Sequence, residues 1–241
     1  MDEGKDTCIV FLDISKAFDR VWHEGLIFKL KRIGVGGNLL EWIKSYLSNR
    51  RQRVVIGGAT SEWKYLEAGV PQGSILGPLL FLIYISDITD NISSNMNLFA
   101  DDSCLMETFT DITAAFTKLN NDLAKLTTWA AQWLVIFSEP KTVYMLVSNR
   151  NREAFRNHPD LYLNNITLIE VDTHNNLGVT FSNDMSWKPH IEKIVSKASS
   201  ALGVIQRAGP ILSRSVREKL YKSMVLPIMD YLDLRQCTSV Y

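Results

Sequence analysis

The stretch Asn97-Leu-Phe-Ala-Asp-Asp-Ser-Cys-Leu-Met106 decides the fold class. Apolar residues flank its acids, Met96, Leu98 and Phe99 before and Cys104, Leu105 and Met106 after, so it reads as a short β-hairpin with Asp101 and Asp102 at its bend. A further acid, Asp13, ends a second strand-like run, Thr7-Cys-Ile-Val-Phe-Leu-Asp13. Carboxylates on strand ends are rigidly placed, and charges crowded beside an apolar core repel one another and need a partner. An oxygen-preferring divalent cation such as Mg2+ is the simplest one, and acids holding two such ions make a phosphoryl-transfer site. Taken singly, each cluster is also an ordinary polar turn or strand-end cap, because turns attract Asp.

Between the clusters lies Ala68-Gly-Val-Pro-Gln-Gly-Ser-Ile-Leu-Gly-Pro-Leu-Leu-Phe81. Gly69, Pro71 and Gly73 make a stiff loop whose backbone can come close to a ligand, and Ser74 caps an apolar helix expected to run to about Ile88. Phe11-Leu-Asp-Ile-Ser-Lys-Ala-Phe-Asp19, Gly69-Val-Pro-Gln-Gly-Ser74 and Phe99-Ala-Asp-Asp102, in that order and spacing, resemble the first three palm motifs of the reverse transcriptases of non-LTR retrotransposons. Val21-Trp-His-Glu-Gly-Leu26, Tyr46-Leu-Ser-Asn-Arg-Arg-Gln-Arg-Val54, Gly77-Pro-Leu-Leu-Phe81, Leu177-Gly-Val-Thr-Phe181 and Trp187-Lys-Pro-His-Ile191 are similar to the same family, to about Tyr231.

The resemblance implies an α+β fold: a right-hand polymerase palm, an antiparallel sheet backed by helices, with partial fingers and a C-terminal helical thumb-like region. It divides the chain into a palm with partial fingers at 1–148, a palm end with a primer-grip-like hairpin at 149–188, and a thumb-like region at 189–241. The implied activity is RNA-directed DNA synthesis from deoxynucleoside triphosphates on an RNA template and a DNA primer. Asp13 and Asp101 would bridge two Mg2+ ions, or Mn2+ in their place, with Asp102 more peripheral. Phe18 would be the steric gate against a 2′-hydroxyl, although an aromatic at a strand-to-helix junction also reads as core. Gln72 and Gly73 would approach the template base and nascent pair. Lys141, in Ser138-Glu-Pro-Lys-Thr142, would protonate departing pyrophosphate, or be a solvated strand lysine. Leu177, Gly178 and Val179 would grip the primer, or form a turn packed under the closing helices.

Departures from the family accompany these matches. The chain begins about a dozen residues before the first motif, so the preceding finger strands are expected to be missing and this fragment to be weakly active or inactive. Ser138 and Glu139 stand where the family commonly carries an asparagine nearby, and the tail after Tyr231 leaves the pattern. An endonuclease segment is likewise expected to be absent. A non-catalytic nucleic-acid-binding or interaction remnant is the alternative function. A haloacid-dehalogenase-type phosphatase would need an acid two residues after Asp13, where Ser15 stands.

Composition bounds the reading without choosing it. At 241 residues, 46% hydrophobic and 22% charged, the chain suits one large domain or one domain with a helical annex. Its longest apolar stretch, Ile75 to Ile85, is broken by Gly77 and Pro78 and too short to span a bilayer, so no membrane partner is expected. Cys8, Cys104 and Cys237 suggest neither disulfides nor zinc, which fits a reducing, intracellular location. Lys and Arg number 26 against 26 acids, but Arg50, Arg51 and Arg53 cluster, and Lys193, Lys197, Arg207, Arg214, Arg217, Lys219 and Lys222 spread over the C-terminal helices. Those helical residues read equally as a solvated face or a phosphate-tracking groove.

The expected elements are a strand at about 7–14, helices at about 24–33 and 38–48, and a hairpin at about 52–67 turning at Gly57-Gly58. An amphipathic helix carries Ile112, Ala115, Phe116, Leu119, Leu123, Leu126, Ala130 and Trp133 at three- and four-residue steps and should back the acidic sheet. Strands at about 134–137, 142–148, 161–169 and 175–182 and helices at about 189–207 and 214–226, ending near Pro227, complete the chain. Ser148 to Asp160 reads as a flexible connection. Asp19 reads as a helix cap, His23, His158, His174 and His190 as structural or surface residues, and the tryptophans at 42, 63, 129, 133 and 187 as core.

Overall fold

The computed structural model describes residues 5–148 and 158–231. They form two compact units, one up to Glu170 and one from Val171. The division falls inside the segment 149–188 that the sequence reading treats as one region.

In the first unit, β1 (Asp6–Asp13) leads through a 3-10 turn (Ala17–Arg20) to α1 (His23–Arg32) and α2 (Gly37–Leu47). A ribbon follows, made of β2 (Arg51–Gln52), β3 (Val55–Ile56), β4 (Ala59–Thr60) and β5 (Lys64–Tyr65). Next come α3 (Leu76–Ile85), β6 (Asn95–Phe99), β7 (Asp102–Phe109), α4 (Ile112–Gln132) and β8 (Val143–Val147). The unit closes with β9 (Tyr162–Leu163), β10 (Ile166–Thr167) and β11 (Ile169–Glu170).

Among the described residues the main sheet has five strands in the order β11-β8-β1-β7-β6. The near-continuous apolar run of β1 suits its central position, with Cys8, Val10 and Leu12 buried on one face and Phe11 buried on the other, whose remaining residues are only partly covered. It pairs antiparallel with β7 and β8, while β11 joins β8 in parallel, so the edge departs from a purely antiparallel sheet. Val10, Leu12 and Leu105 on one face meet Phe116, Leu119, Leu123 and Leu126 of α4, all buried in one core with Leu26, Leu30, Phe81 and Tyr84. The period-3.6 stripe of α4 thus covers the period-2 face of the sheet, as expected. Asp111 caps α4, accepting from the Thr113 amide at 2.9 Å, and Lys118 pairs with Glu107 of β7 at 2.7 Å.

Two buried charges tie the layers together. Asp122, fully buried in α4, accepts from the Ser93 amide at 3.1 Å, the Ser94 amide at 2.8 Å and Lys125 Nζ at 2.8 Å, which fixes the loop that begins β6. Burial alone would raise its carboxyl, but the bonds from Lys125, Ser94 and Ser93 together hold it below its ordinary value. Lys29 of α1 is 4% exposed, donates to Tyr84 O and Asp87 Oδ1 at 2.5 Å each, and lies 3.7 Å from the Trp133 ring centroid. Burial lowers its pKa, against the opposing pull of Asp87.

Several elements differ from expectation. The helix after Ser74 stops at Ile85, because 86–92 winds into i+3 turns that direct Asp87 to Lys29 and to Trp129 Nε1. The strand at 134–137 contracts to one bridge, Ile14 with Phe137. The strand at 161–169 breaks where Asn164 and Asn165 take left-handed φ of 51° and 63°, giving three two-residue strands. Trp133 is buried and Trp129 packs against the core, but Trp42, Trp63 and Trp187 are exposed by 53%, 46% and 38%, so they are not core. Most of the connection expected at 148–160 lies outside the described residues, as do Cys237 and the tail after Tyr231. Among the described residues no helix is long and apolar enough to cross a membrane.

The second unit holds a hairpin of β12 (Thr173–Asn176) and β13 (Val179–Ser182), then α5 (Lys188–Ala208), α6 (Arg214–Met224) and α7 (Leu226–Asp230). The strand expected at 175–182 therefore turns back at Leu177-Gly178, whose φ of 49° and 85° are left-handed. Pro227 falls in the first turn of α7, where its missing N–H costs nothing, so a helix continues past it. His190 is buried, and its Nδ1 accepts from the Thr180 amide at 3.1 Å.

Removing Asp122 takes the acceptor from the buried Ser94 amide and the partly buried Ser93 amide, so Asp122→Ala should cost on the order of 3 kcal/mol in denaturant unfolding. Because its pKa is lower folded than unfolded, its stabilisation is complete above the ordinary Asp value of 3.8 and is lost as pH falls through the folded value. Acid unfolding should therefore steepen less below that value in Asp122→Asn than in the parent. Parallel curves would contradict the assignment.

Candidate active site

The last residue pair of the β1–β7 ladder places Asp13 directly opposite Asp102. Opposed residues of an antiparallel pair project from the same face with Cβ atoms about 5 Å apart, and like charges so placed repel. The pair lies on the same face as Phe11 and Cys104, opposite the face covered by α4. Phe99 pairs with Asp102 across β6–β7, leaving Ala100 and Asp101 as a two-residue turn in which Ala100 takes a left-handed φ of 54°. A non-glycine residue in that region is strained. Asp101 thus sits at the apex with no strand partner. Among the described residues no three His, Cys, Asp or Glu side chains converge as a metal-holding group.

Asp13 is fixed from behind by the segment after α4. Its carbonyl accepts from the Ser138 amide at 2.8 Å and its amide donates to Thr142 Oγ1 at 3.3 Å. The turn begun by Ser138 also carries Lys141, whose Nζ lies 3.5 Å from Asp13 Oδ2. At that distance the contact is an ion pair and not an aligned hydrogen bond, and Oδ2 is buried with no hydrogen-bond donor. Lys141 is 71% exposed, so solvent screens most of the attraction.

A second loop is stitched to the segment after β1. The amides of Gly69 and Val70 donate to Val21 O and Phe18 O, each at 2.8 Å, and His23 Nε2 bonds Gly69 O at 2.8 Å. Gln72 Nε2 donates to Asp19 Oδ1 at 2.8 Å. Asp19 therefore anchors this loop and does not cap the 3-10 turn. Gly69 has φ of 93°, and a Cβ there would stand 2.8 Å from Asp19 O. Gly73 also has a left-handed φ, 79°, with open space around it. Ser74 acts as expected: its Oγ accepts from the Gly77 amide at 2.9 Å at the start of α3. Phe18 is half-buried and stacks on Phe81 with ring centroids 4.8 Å apart.

In the second unit, Gly178 turns the β12–β13 hairpin against Tyr231, whose hydroxyl donates to Leu177 O at 2.9 Å.

Residues 1–181 match the family described as reverse transcriptase (RNA-dependent DNA polymerase). The chain belongs to the reverse transcriptase family. It is 30% identical to the RNA-directed DNA polymerase from mobile element jockey of Drosophila funebris, over 92% of this chain and 25% of that protein. To the jockey polymerase of Drosophila melanogaster it is 31% identical, over 95% of this chain and 26% of that protein. It thus spans about a quarter of the length of these relatives. The fold of apo telomerase from Candida tropicalis, truncated from its C-terminal domain, aligns with a TM-score of 0.52 at 12% identity, covering 73% of this chain and 34% of that one. The helix-backed sheet is the palm of a reverse transcriptase.

Within this reverse transcriptase palm, sequence reading did not anticipate Thr142 and Ser138 as the supports of Asp13, nor Asp19 as the partner of Gln72. Short polar residues in loops carry no periodic signal, although the spacing of Asp19 six residues past Asp13 was visible.

Gly69→Ala adds a Cβ against a backbone carbonyl at a strained φ, which should lower stability by roughly 1–3 kcal/mol. Thermal unfolding unchanged from the parent would show that the loop is not held as described.

Proposed function

We propose that this palm performs RNA-directed DNA synthesis, joining a deoxynucleotide to a primer 3′-hydroxyl. The observation that carries the reading is the register of Asp13 with Asp102, together with the buried, donor-free Oδ2 of Asp13. The names of the jockey relatives support the choice of an RNA template.

These residues fit divalent cations. Hard carboxylate oxygens suit Mg2+, which is commonly held by one or two protein carboxylates plus substrate phosphates. The resemblance makes Asp13 and Asp101 the bridging pair with Asp102 peripheral; because the ladder opposes Asp13 with Asp102, we assign Asp13 and Asp102 as the pair that would hold the ions, with Asp101 at the turn apex beside them. When bound, two such ions lower the pKa of an attacking hydroxyl and neutralise charge on the leaving pyrophosphate. Asp13 is held by Ser138 and Thr142, which fixes it before substrate arrives, so little reorganisation is needed.

Lys141, beside Asp13, can balance the clustered charge and deliver a proton to the departing pyrophosphate. Phe18, packed on Phe81, has a ring fixed firmly enough to exclude a 2′-hydroxyl by contact. Gly73, with no Cβ and open space around it, lets a nascent base pair approach, and Gln72 is oriented by Asp19. In the second unit, Leu177 and Gly178 form the turn assigned to gripping the primer, and the helices after it are assigned as thumb-like.

The purified chain should bind Mn2+, read by paramagnetic broadening of its NMR signals around β1 and β7, and Asp13→Asn should weaken that binding at least tenfold. Any primer extension on an oligo(dT)-primed poly(rA) template should need the divalent cation and fall by more than about 100-fold in Asp13→Asn. Unaltered Mn2+ broadening and extension in Asp13→Asn would overturn the proposal.

A further inference from the structure

The ribbon from Arg50 to Leu66 projects from the first unit without joining its core. Every residue from Arg51 to Tyr65 is exposed. Its backbone is nonetheless paired along most of its length, by Leu66 N to Arg50 O at 2.9 Å, the β2–β5 and β3–β4 ladders, and Ser61 N to Val54 O at 2.9 Å between them. Gly57 and Gly58, with φ of 57° and 85°, close its tip. A two-stranded hairpin of this kind gains little stability from itself. Its side chains are also unusual for a solvated ribbon, because Trp63 and Tyr65 are 46% and 70% exposed.

The register groups these aromatics with arginines. Arg51 opposes Tyr65 in the β2–β5 ladder, and Arg53 and Trp63 lie just beyond its end, where the register shifts by one residue before β3–β4. The guanidinium carbons of Arg51 and Arg53 each lie 4.6 Å from the Trp63 ring centroid. A neighbouring set sits at the end of α2: Trp42 stacks on Tyr46 with centroids 5.9 Å apart, and the Arg50 guanidinium lies 5.8 Å from the Tyr46 ring. Among the described residues, no salt bridge engages any of the three arginines.

We propose that this surface binds single-stranded RNA, with bases stacking on Trp63, Tyr65 and Trp42 and phosphates paired to Arg50, Arg51 and Arg53. The chemistry of the ligand follows from the side chains. Exposed flat rings accept any base face, and unpaired guanidiniums complement a polyanion, a combination that tracks single strands without reading sequence. A duplex hides its base faces and cannot use the rings. The arginines stacked on Trp63 keep the ring upright and already present their donors, which lowers the ordering cost on binding. This deepens the polymerase reading by giving the unpaired RNA strand a binding surface of its own, separate from the metal-holding acids.

The test is fluorescence anisotropy of a labelled 12-nucleotide oligouridylate with the purified chain, in EDTA so that metal-dependent binding does not contribute. Trp63→Ala should weaken binding about tenfold or more, while Trp63→Phe, which keeps a ring, should retain most of the affinity. Arg51→Ala and Arg53→Ala should each flatten the dependence of log K on log salt by roughly 0.7. Because these residues are exposed, the variants should unfold at the parent temperature. Equal affinity in Trp63→Ala and parent, or equal affinity for blunt duplex RNA of the same length, would overturn the proposal. Those results leave the Mn2+ test of the acids untouched, so the two readings fail separately.

Discussion

The pairing of β1 with β7 is the constraint on which the rest depends. With Asp13 opposite Asp102, Val10 opposes Leu105 and Leu12 opposes Ser103 on the covered face. A slip of one residue would turn every side chain of β1 to the other face. It would expose Val10 and Leu12 and drive Asp13 into the core. The apolar run that makes β1 the central strand therefore also positions the acid at its end, and burial and chemistry share one register.

Polar contacts hold the pieces around that register. Ser138 and Thr142 grip both backbone groups of Asp13, so the turn after α4 and the end of β1 move together. Asp122 reaches from the same helix to the loop that starts β6, and hence to the hairpin carrying Asp101 and Asp102. On the opposite side of the first motif, Gly69, Val70 and Gln72 bond to Val21, Phe18 and Asp19. Loops far apart in sequence thus converge on the few residues following Asp13, which places a flexible-looking glycine loop without requiring it to be part of the core.

Much of this was legible in the sequence. The apolar run before Asp13, the alternation around Asp101-Asp102 and the stripe of α4 each follow a period that burial imposes, and each element formed where its period indicated. Ser74 was readable because a cap has a local signature. The failures have a different origin. Large aromatics are usually core, which is how Trp42 and Trp63 read, whereas the ribbon carrying Trp63 has no layer beneath it and two arginines lie over its ring instead. Lys29 and Asp122 carry charge in helices otherwise read by their apolar stripe, and only the three-dimensional arrangement of Asp87, Trp133, Ser93 and Ser94 reveals why they are buried. The division at Glu170 likewise leaves no mark in composition.

The central claim is that the end of the β1–β7 ladder is where cations are held. Crystals of the chain soaked in Mn2+, with anomalous diffraction recorded at the manganese edge, test it most directly. The account predicts an anomalous peak within coordination distance, about 2.0–2.4 Å, of carboxylate oxygens of both Asp13 and Asp102. Manganese bound elsewhere while these two carboxylates remain uncoordinated would contradict it.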